Sequence, residues 1–184
     1  FLPGEGEIRR VEATLKSQLP PDCSVAPLFG AMDFQAQRAA ITPAKTGRKV
    51  VLATSIAETS LTIEGVQIVV DSGRARRMQF DPSSGMSRLT TERVTRAEAA
   101  QRAGRAGRVS EGVAFKLWTR GEEGSLAAFP PAEIEVADLS SFALELAIWG
   151  AKADDLSFVT TPHQGRLAEA QSVLQMLGAL DRAN

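Results

Sequence analysis

Two apolar runs constrain the fold of this chain more than any other feature. Residues 49–54 read Lys-Val-Val-Leu-Ala-Thr, and residues 66–71 read Val-Gln-Ile-Val-Val-Asp. Strands with so little polar alternation are buried on both faces, which is typical of parallel sheets covered by helices. Parallel strands also need crossover connections, usually helices. The sequence therefore predicts an α/β fold with a parallel sheet.

Shorter elements follow from spacing and turn residues. Apolar residues at helical spacing predict a first helix that ends before Pro20. Residues 25–29 form a predicted strand, and Asp33 is expected to cap a helix that runs to about Ile41.

The middle of the chain has a different pattern. Two polar extended stretches around the turn residues 81–85 predict a β-hairpin over residues 76–94. Thr95 and Glu98 then form a capping box that begins an alanine-rich helix. Residues 112–119 alternate in polarity and form one more predicted strand.

A Pro-Pro pair at positions 130–131 marks a predicted domain boundary between residues 1–129 and residues 130–184. Beyond it, residues 139–149 predict an amphipathic helix and residues 166–177 a second helix.

Composition excludes several classes of protein. No apolar run approaches the roughly 18–20 residues of a membrane span, and the start shows no signal peptide. The single cysteine, Cys23, excludes an internal disulfide and fits a reducing cytosol, so we expect a cytoplasmic protein. One histidine and one cysteine argue against a zinc site, and no metal ligands are expected. Trp118 and Trp149 are expected to pack in the core.

The charge is unevenly distributed although the net charge is only −1. Residues 74–108 hold nine arginines and three carboxylates, whereas residues 122–155 hold eight carboxylates and one lysine. A cationic stretch of this kind indicates a local anion site. The alternative is a set of solvated surface arginines.

The stretch from Gln101 to Arg108 reads Gln-Arg-Ala-Gly-Arg-Ala-Gly-Arg. Helical spacing places Gln101, Arg105 and Arg108 on one helical face or its extension. Gly104 and Gly107 would each cost about 1 kcal/mol inside a helix, so close approach of another surface or the end of the helix must explain them. Arginine binds phosphate through a planar, charged fork, which makes Arg105 and Arg108 candidate phosphate ligands. The alternative is a basic helix end with glycine stops.

Five hydroxyl residues lie between positions 53 and 64, directly after a predicted parallel strand. The carboxyl ends of such strands are where open α/β sheets bind ligands. Hydroxyl and backbone N–H groups there can hold the phosphates of a nucleotide or of a nucleic-acid backbone. The alternative is an ordinary polar loop that caps a helix.

Together these stretches resemble superfamily 2 helicases of the DEAH/RHA group, and the resemblance covers essentially the whole chain. The matching segments are residues 1–8 (motif IV), 27–38 (motif IVa), 53–64 (motif V), 101–108 (motif VI), and 139–150 with 177–180 (winged-helix region).

The resemblance implies a RecA-like parallel β-sheet flanked by helices, with an inserted β-hairpin that separates or guides strands. Residues 1–129 would form the second RecA-like domain. Residues 130–184 would begin a small, mostly helical winged-helix region.

The resemblance also implies three groups of site residues. These are the catalytic residues Gln101, Arg105 and Arg108, the nucleotide-binding residues Ser60, Thr62 and Glu64, and the nucleic-acid-binding residues Thr54, Ser55 and Gly30. Three positions depart from the family pattern. Ser55 stands where the family often has Asn, Glu64 where eukaryotic relatives often have Asp, and Ile41 where those relatives have an aromatic residue that stacks on adenine.

The implied cofactors are ATP and Mg²⁺, both bound mainly by a first RecA-like domain. The chain has no G-x-x-x-x-G-K-[ST] loop and no Asp-Glu-Ala-His run, so we expect it to neither hydrolyse ATP nor unwind RNA alone. It also lacks an initiator Met, which favours an origin inside a longer protein. The expected partners are that first domain and single-stranded nucleic acid, RNA by resemblance, with a monomer and no membrane.

Two alternatives remain open from the sequence. One is a non-enzymatic nucleic-acid-binding module that retains the fold, whose binding would depend strongly on salt. The other is a motor of the same superfamily that acts on DNA, because the candidate residues would contact phosphate and sugar and so do not distinguish the two nucleic acids.

Overall fold

The computed structural model describes residues 1–58, 63–81, 83–108 and 110–181. The chain divides into two compact units. The first unit comprises Phe1–Arg77 and Thr91–Pro130, and the second comprises Met78–Thr90 and Pro131–Asn184. The distal part of the hairpin therefore groups with the C-terminal segment, although the sequence places it within the first predicted domain.

The described part of the chain has six strands, of which β4 and β5 extend into the second unit. The strands are β1 (Cys23–Leu28), β2 (Arg48–Ala53), β3 (Ile68–Asp71), β4 (Arg74–Asp81), β5 (Met86–Arg93) and β6 (Val113–Lys116). The helices of the chain are α1 (Glu5–Lys16), α2 (Phe34–Ile41), α3 (Arg96–Ala103), α4 (Arg120–Gly124), α5 (Glu133–Val136), α6 (Ser140–Trp149) and α7 (Gln164–Met176). Of the described helices, none has both the length and the apolar character needed to cross a membrane.

Both sheets of the first unit's α/β core are parallel, as the apolar runs predict. β1 pairs with β2, and β3 pairs with β6. Phe1 and Leu2 lie between the two pairs, because the N–H of Leu2 donates to Ala53 at 2.9 Å and the N–H of Ser72 donates to Phe1 at 3.2 Å. The order across the core is therefore β1, β2, Phe1–Leu2, β3 and β6. The predicted hairpin is formed by β4 and β5.

Small and branched side chains hold the first unit together. On one side of β1 and β2, Ile8 of α1 is fully buried against Phe29 and Leu52. Near β3, Trp118 packs against a cluster that includes Val94 and Ala99, which confirms its predicted core position. Each helix thus covers the sheet with only a few apolar contacts.

Two predicted helix caps are confirmed. Asp33 accepts a hydrogen bond from the N–H of Ala36 at 2.8 Å and begins α2. Thr95 and Glu98 form the reciprocal capping box of α3, with the Glu98 carboxylate 2.7 Å from the N–H of Thr95. Unpaired N–H groups at a helix start are satisfied in this way, which fixes where each helix begins.

The last predicted strand is shorter than its alternation indicates. β6 covers only Val113–Lys116, whereas residues 112–119 were predicted. Thr119 instead caps α4, accepting from the N–H of Glu122 while that carboxylate accepts from the N–H of Thr119. A capping box satisfies these backbone groups locally, so Thr119 has left the sheet ladder.

The second unit is mostly helical. The Asp138 side chain accepts from the N–H of Ser140 at 2.9 Å where α6 begins, and Gly150 ends the helix at a φ of 67° that favours glycine. α6 and α7 share a cluster centred on Ala143 and Leu174. Trp149 is 72% exposed, so the prediction that it packs in a core was wrong.

Candidate phosphate-facing site at the end of the third helix

α3 ends before the two candidate phosphate ligands. The helix stops at Ala103, and the N–H of Gly104 closes its last turn on the carbonyl of Ala100. Arg105 and Arg108 lie in the turn that follows, so they do not lie on a face of α3 with Gln101. Gln101 and Arg108 are exposed, whereas Arg105 is 7% exposed.

Arg105 is directed into the domain. Its guanidinium donates a hydrogen bond to the backbone carbonyl of Glu58, five residues beyond the end of β2. Burial lowers the pKa of Arg105, and the positive charge of Arg108 lowers it further, while Glu58 opposes the shift. The charges of Arg105 and Arg108 therefore act on each other, and we call these two residues the cationic pair. A guanidinium stays charged at neutral pH despite such a shift.

A buried cluster of charges lies directly beneath this turn. Arg102 is 1% exposed, Asp71 2% and Glu58 8%. The Nε of Arg102 donates to the carboxylate of Glu58 at 3.0 Å, and its Nη1 donates to Asp71 at 3.0 Å and to the carbonyl of Arg74 at 3.1 Å. We call Glu58, Asp71 and Arg102 the buried charge cluster. This cluster was not predicted from the sequence. The signal that could have indicated it is the position of Arg102, three residues after Ala99 and therefore on the same inward face of α3.

The surroundings of Glu58 disfavour the ionised form of its carboxyl group. Burial raises the pKa of the Glu58 carboxyl, the hydrogen bond and charge of Arg102 lower it, and the carboxylates of Glu98 and Asp71 raise it. The net direction is upward. Arg102 is therefore the group that favours ionised Glu58 in this cluster.

Three predicted nucleic-acid-binding residues follow the first two strands. Thr54 and Ser55 come directly after β2, and Gly30 follows β1 by two residues. Leu28 and Ala53 are opposite each other in the parallel register, so these residues lie at the same edge of the sheet. Ser55 and Gly30 are exposed, and Thr54 is half-buried. The carbonyl of Gly30 accepts from the Gln37 side chain at 3.4 Å.

The predicted nucleotide-binding residues are described only in part. Glu64 is exposed in a turn before Gly65. Ser60 and Thr62 lie outside the described residues.

Much of the cationic stretch is neutralised by ion pairs. Four of its arginines bond to carboxylates: Arg76 to Glu7, Arg77 to Glu98 and Glu92, Arg93 to Glu122, and Arg102 to Glu58 and Asp71. The stretch is therefore not one continuous anion site. Arg105 contacts the segment that follows β2, at the carboxyl edge of the strands, where a phosphate ligand is expected.

The donor set fits only part of a nucleotide site. Two neighbouring guanidinium groups match the charge and geometry of phosphate oxygens. Within residues 1–58, 63–81, 83–108 and 110–181, the structure shows no group of three His, Cys, Asp or Glu placed to hold a metal ion. By charge and shape, the guanidinium groups of Arg105 and Arg108 suit phosphate oxygens such as those of ATP.

A family model described as the helicase conserved C-terminal domain matches residues 5–110, more than half of the chain. The chain belongs to this family. Residues 5–110 include Arg105, Arg108 and the buried charge cluster, so these features belong to the matched domain.

Named relatives and solved structures agree with this result. The chain is 47% identical to the ATP-dependent RNA helicase HrpB of Escherichia coli (strain K12), covering 98% of the chain and 23% of that protein. It is 38% identical to the pre-mRNA-splicing factor ATP-dependent RNA helicase DEAH10 of Arabidopsis thaliana, covering 98% of the chain and 26% of that protein. A crystal structure of the E. coli DEAH/RHA helicase HrpB superposes with a TM-score of 0.92 at 46% identity, covering 99% of the chain and 24% of that structure.

The chain thus spans about a quarter of the length of the curated relatives it matches, 23% and 26% for these two. The resemblance to DEAH/RHA-group helicases, and the RecA-like α/β fold that it implies, are confirmed.

Proposed function

We propose that this chain is the second RecA-like domain of an ATP-dependent RNA helicase, followed by the start of a winged-helix region. Residues 1–129 form the RecA-like domain in this proposal, and residues 130–184 begin the winged helix. The observation that carries the proposal is the cationic pair of Arg105 and Arg108. Arg105 contacts the segment after β2, at the edge where open α/β sheets bind ligands.

ATP would be bound mainly by a preceding RecA-like domain, together with Mg²⁺. Bound ATP supplies the phosphoanhydride bond that is cleaved. Arg105 and Arg108 would neutralise charge on its phosphates, Gln101 would orient the attacking water, and Ser60, Thr62 and Glu64 would contact the nucleotide at the domain cleft. Without the preceding domain the guanidinium groups have no phosphate to act on, so the chain alone would be inactive.

Nucleic acid would follow the edge formed by Gly30, Thr54 and Ser55. Hydroxyl and backbone groups there suit contacts to phosphate and sugar. We infer RNA as the track because both relatives described above are named RNA helicases. We also infer a monomer that acts in the cytoplasm, in keeping with a single unpaired cysteine.

The test uses the full-length protein that carries this chain. Arg105→Ala and Arg108→Ala should each lower kcat for ATP hydrolysis by roughly 10³-fold, the effect expected of an arginine that stabilises the transferred phosphate. RNA affinity without nucleotide should stay unchanged. Arg166→Met, which alters a half-buried arginine of the second unit, is the matched control and should retain activity. Unchanged hydrolysis in both alanine variants would refute the proposal.

A second measurement separates RNA from DNA. ATPase stimulation of the full-length protein by single-stranded RNA and by single-stranded DNA of the same sequence and salt concentration should favour RNA. Equal or greater stimulation by DNA would assign the motor to DNA. RNA binding without any hydrolysis would instead favour the non-enzymatic module.

A further inference from the structure

Arg102 joins α3 to three other segments of the first unit. It is the largest of the fully buried side chains among the described residues. Its guanidinium holds Glu58 in the turn after β2, Asp71 at the end of β3 and the carbonyl of Arg74 at the start of β4. Each of these bonds measures between 3.0 and 3.1 Å, so the side chain is fixed in place.

Stability of the fold alone does not account for a charged group at this position. Desolvation of buried ions is unfavourable, and apolar replacements of similar volume are often neutral or stabilising. α3 also has other anchors, because Thr95 and Glu98 cap it and Ala99 packs against Val94. A buried ionic group can instead fix its partners in one arrangement. One of the partners of Arg102 is Glu58, whose backbone carbonyl accepts the hydrogen bond from Arg105.

Glu58 is held from two sides. Arg102 holds its carboxylate, and Arg105 donates to its backbone carbonyl. The acceptor of Arg105 is therefore placed by the bond that Arg102 makes to the same residue. Burial raises the pKa of Glu58 and Arg102 opposes that shift, so loss of Arg102 would favour a neutral Glu58 with a weaker hold on its surroundings.

Glu58 also connects to the predicted nucleic-acid contacts. It caps the short 3-10 turn Ser55–Ala57, whose first position follows Thr54. A shift of Thr54 or Ser55 would pass through this single turn to Glu58. The end of β2 is therefore connected to Arg105 through the 3-10 turn Ser55–Ala57 and the backbone carbonyl of Glu58.

We propose that Arg102 is a positioning residue for ATP hydrolysis, which fixes Glu58 and through it the location of Arg105. This inference rests on the function proposed above. Arg102 itself is buried and would not contact the nucleotide. Its removal should therefore change the rate of hydrolysis more than the binding of ATP.

The test measures kcat and KM for ATP in the full-length protein, with thermal unfolding as a parallel readout. Arg102→Met should lower kcat about 10- to 100-fold, because small displacements of a catalytic group have effects of this size, with KM changed less than about 3-fold. Arg102→Lys, which keeps the charge without the fork, should lie between wild type and Arg102→Met. Arg166→Met is again the control.

A double variant gives the sharpest result. If Arg102 acts through Arg105, then Arg102→Met should cause no further loss of kcat in the Arg105→Ala background. An equal loss in both backgrounds, or an unchanged kcat in Arg102→Met, would overturn the inference. If Arg102→Met does not fold, Glu58→Gln takes its place, because the amide keeps the volume and an acceptor oxygen. It should lower kcat about 10-fold, and an unchanged kcat would overturn the inference.

The proposed function and this inference fail in different ways. Full activity in both Arg105→Ala and Arg108→Ala contradicts the proposed function. Loss of activity in Arg105→Ala with full activity in Arg102→Met contradicts only the role of Arg102.

Discussion

The guanidinium of Arg105 donates a hydrogen bond to the backbone carbonyl of Glu58, 47 residues earlier in the chain. This contact ties the buried Arg105 to the segment after β2, whereas Arg108 is exposed. The two arginines of the candidate site should therefore differ in what they contribute to folding.

Arg105→Ala should destabilise the chain by about 1–3 kcal/mol, because a buried carbonyl loses its donor. Arg108→Ala should change the free energy of unfolding by less than about 0.5 kcal/mol, as expected for an exposed side chain. Urea unfolding of the 184-residue chain measures both values. Equal effects of the two substitutions would contradict the burial of Arg105.

Gly112→Ala should be strongly unfavourable, whereas Gly107→Ala should be tolerated by the fold. A Cβ at Gly112 would lie 1.8 Å from the carbonyl oxygen of Ala106 and 2.8 Å from that of Gln67. The resulting overpacking should cost about 1–3 kcal/mol or more. At Gly107, no described atom lies within 4 Å of the added carbon.

Gly107→Ala also tests the two explanations that the sequence offers for this glycine, which are close approach of another surface and the end of a helix. If another domain approaches this glycine, Gly107→Ala should lower ATPase activity of the full-length protein while leaving the melting temperature of the 184-residue chain unchanged. The helix-stop explanation does not apply to Gly107, because α3 already ends at Ala103. If no other surface approaches Gly107, both quantities should stay at their wild-type values.

Glu98 should contribute stability that disappears in acid. Burial would raise its pKa, but the hydrogen bonds from Thr95 and the charge of Arg77 outweigh burial and hold the pKa below the ordinary value of 4.5. A carboxyl with a lowered pKa stabilises the folded state above its unfolded pKa, and this stabilisation is lost as the pH falls through the folded pKa.

The variant Glu98→Gln isolates this effect, because glutamine keeps the capping hydrogen bond without the charge. At pH 7 it should be less stable than wild type, and the two unfolding curves should converge as the pH falls below 4.5. Glu122→Gln should show a pH dependence of the same sign, because hydrogen bonds from Thr119 also lower the pKa of Glu122. Glu145→Gln, at an exposed position of α6, is the matched control. A pH-independent difference for Glu98→Gln would contradict the prediction.

Ser55→Asn should tighten binding of single-stranded RNA by the full-length protein about 3- to 10-fold, the value of roughly one added hydrogen bond. Ser55 is exposed after β2, at the position where the family often has Asn. Fluorescence anisotropy at fixed salt measures the Kd. Ser17→Asn, at the end of α1, should leave the Kd unchanged. No change in Ser55→Asn would indicate that position 55 does not face the nucleic acid.

The α/β fold was predictable because its strands are marked by continuous apolar runs. β2 and β3 lie within residues 49–54 and 66–71, apart from one added residue at Arg48. The length of β6 was not predictable from alternation, because the capping box at Thr119 competes with the sheet for the same backbone groups. Exposure of Trp149 depends on which neighbours cover α6, and a single helix sequence does not determine them.

The candidate site was predictable in its residue types and only partly in its geometry. The spacing of the arginines in the sequence identified Arg105 and Arg108 as candidates. It also predicted a helix that continues past Gly104, whereas α3 ends at Ala103. The burial of Arg102 depends on Glu58 and Asp71, which lie 44 and 31 residues away in the chain. Local patterns carry no information about pairs so distant in sequence.

The place of Phe1 and Leu2 between β2 and β3 has a consequence for how the domain folds. Joining the two halves of the sheet closes loops of tens of residues, since Leu2 bonds to Ala53 and Phe1 accepts from Ser72. Such long closures lose chain entropy before they gain contacts, which slows folding. The β1–β2 pair should therefore assemble early, and the union of both halves should be a late step that brings the Phe1 ring within 5.1 Å of the Arg102 guanidinium.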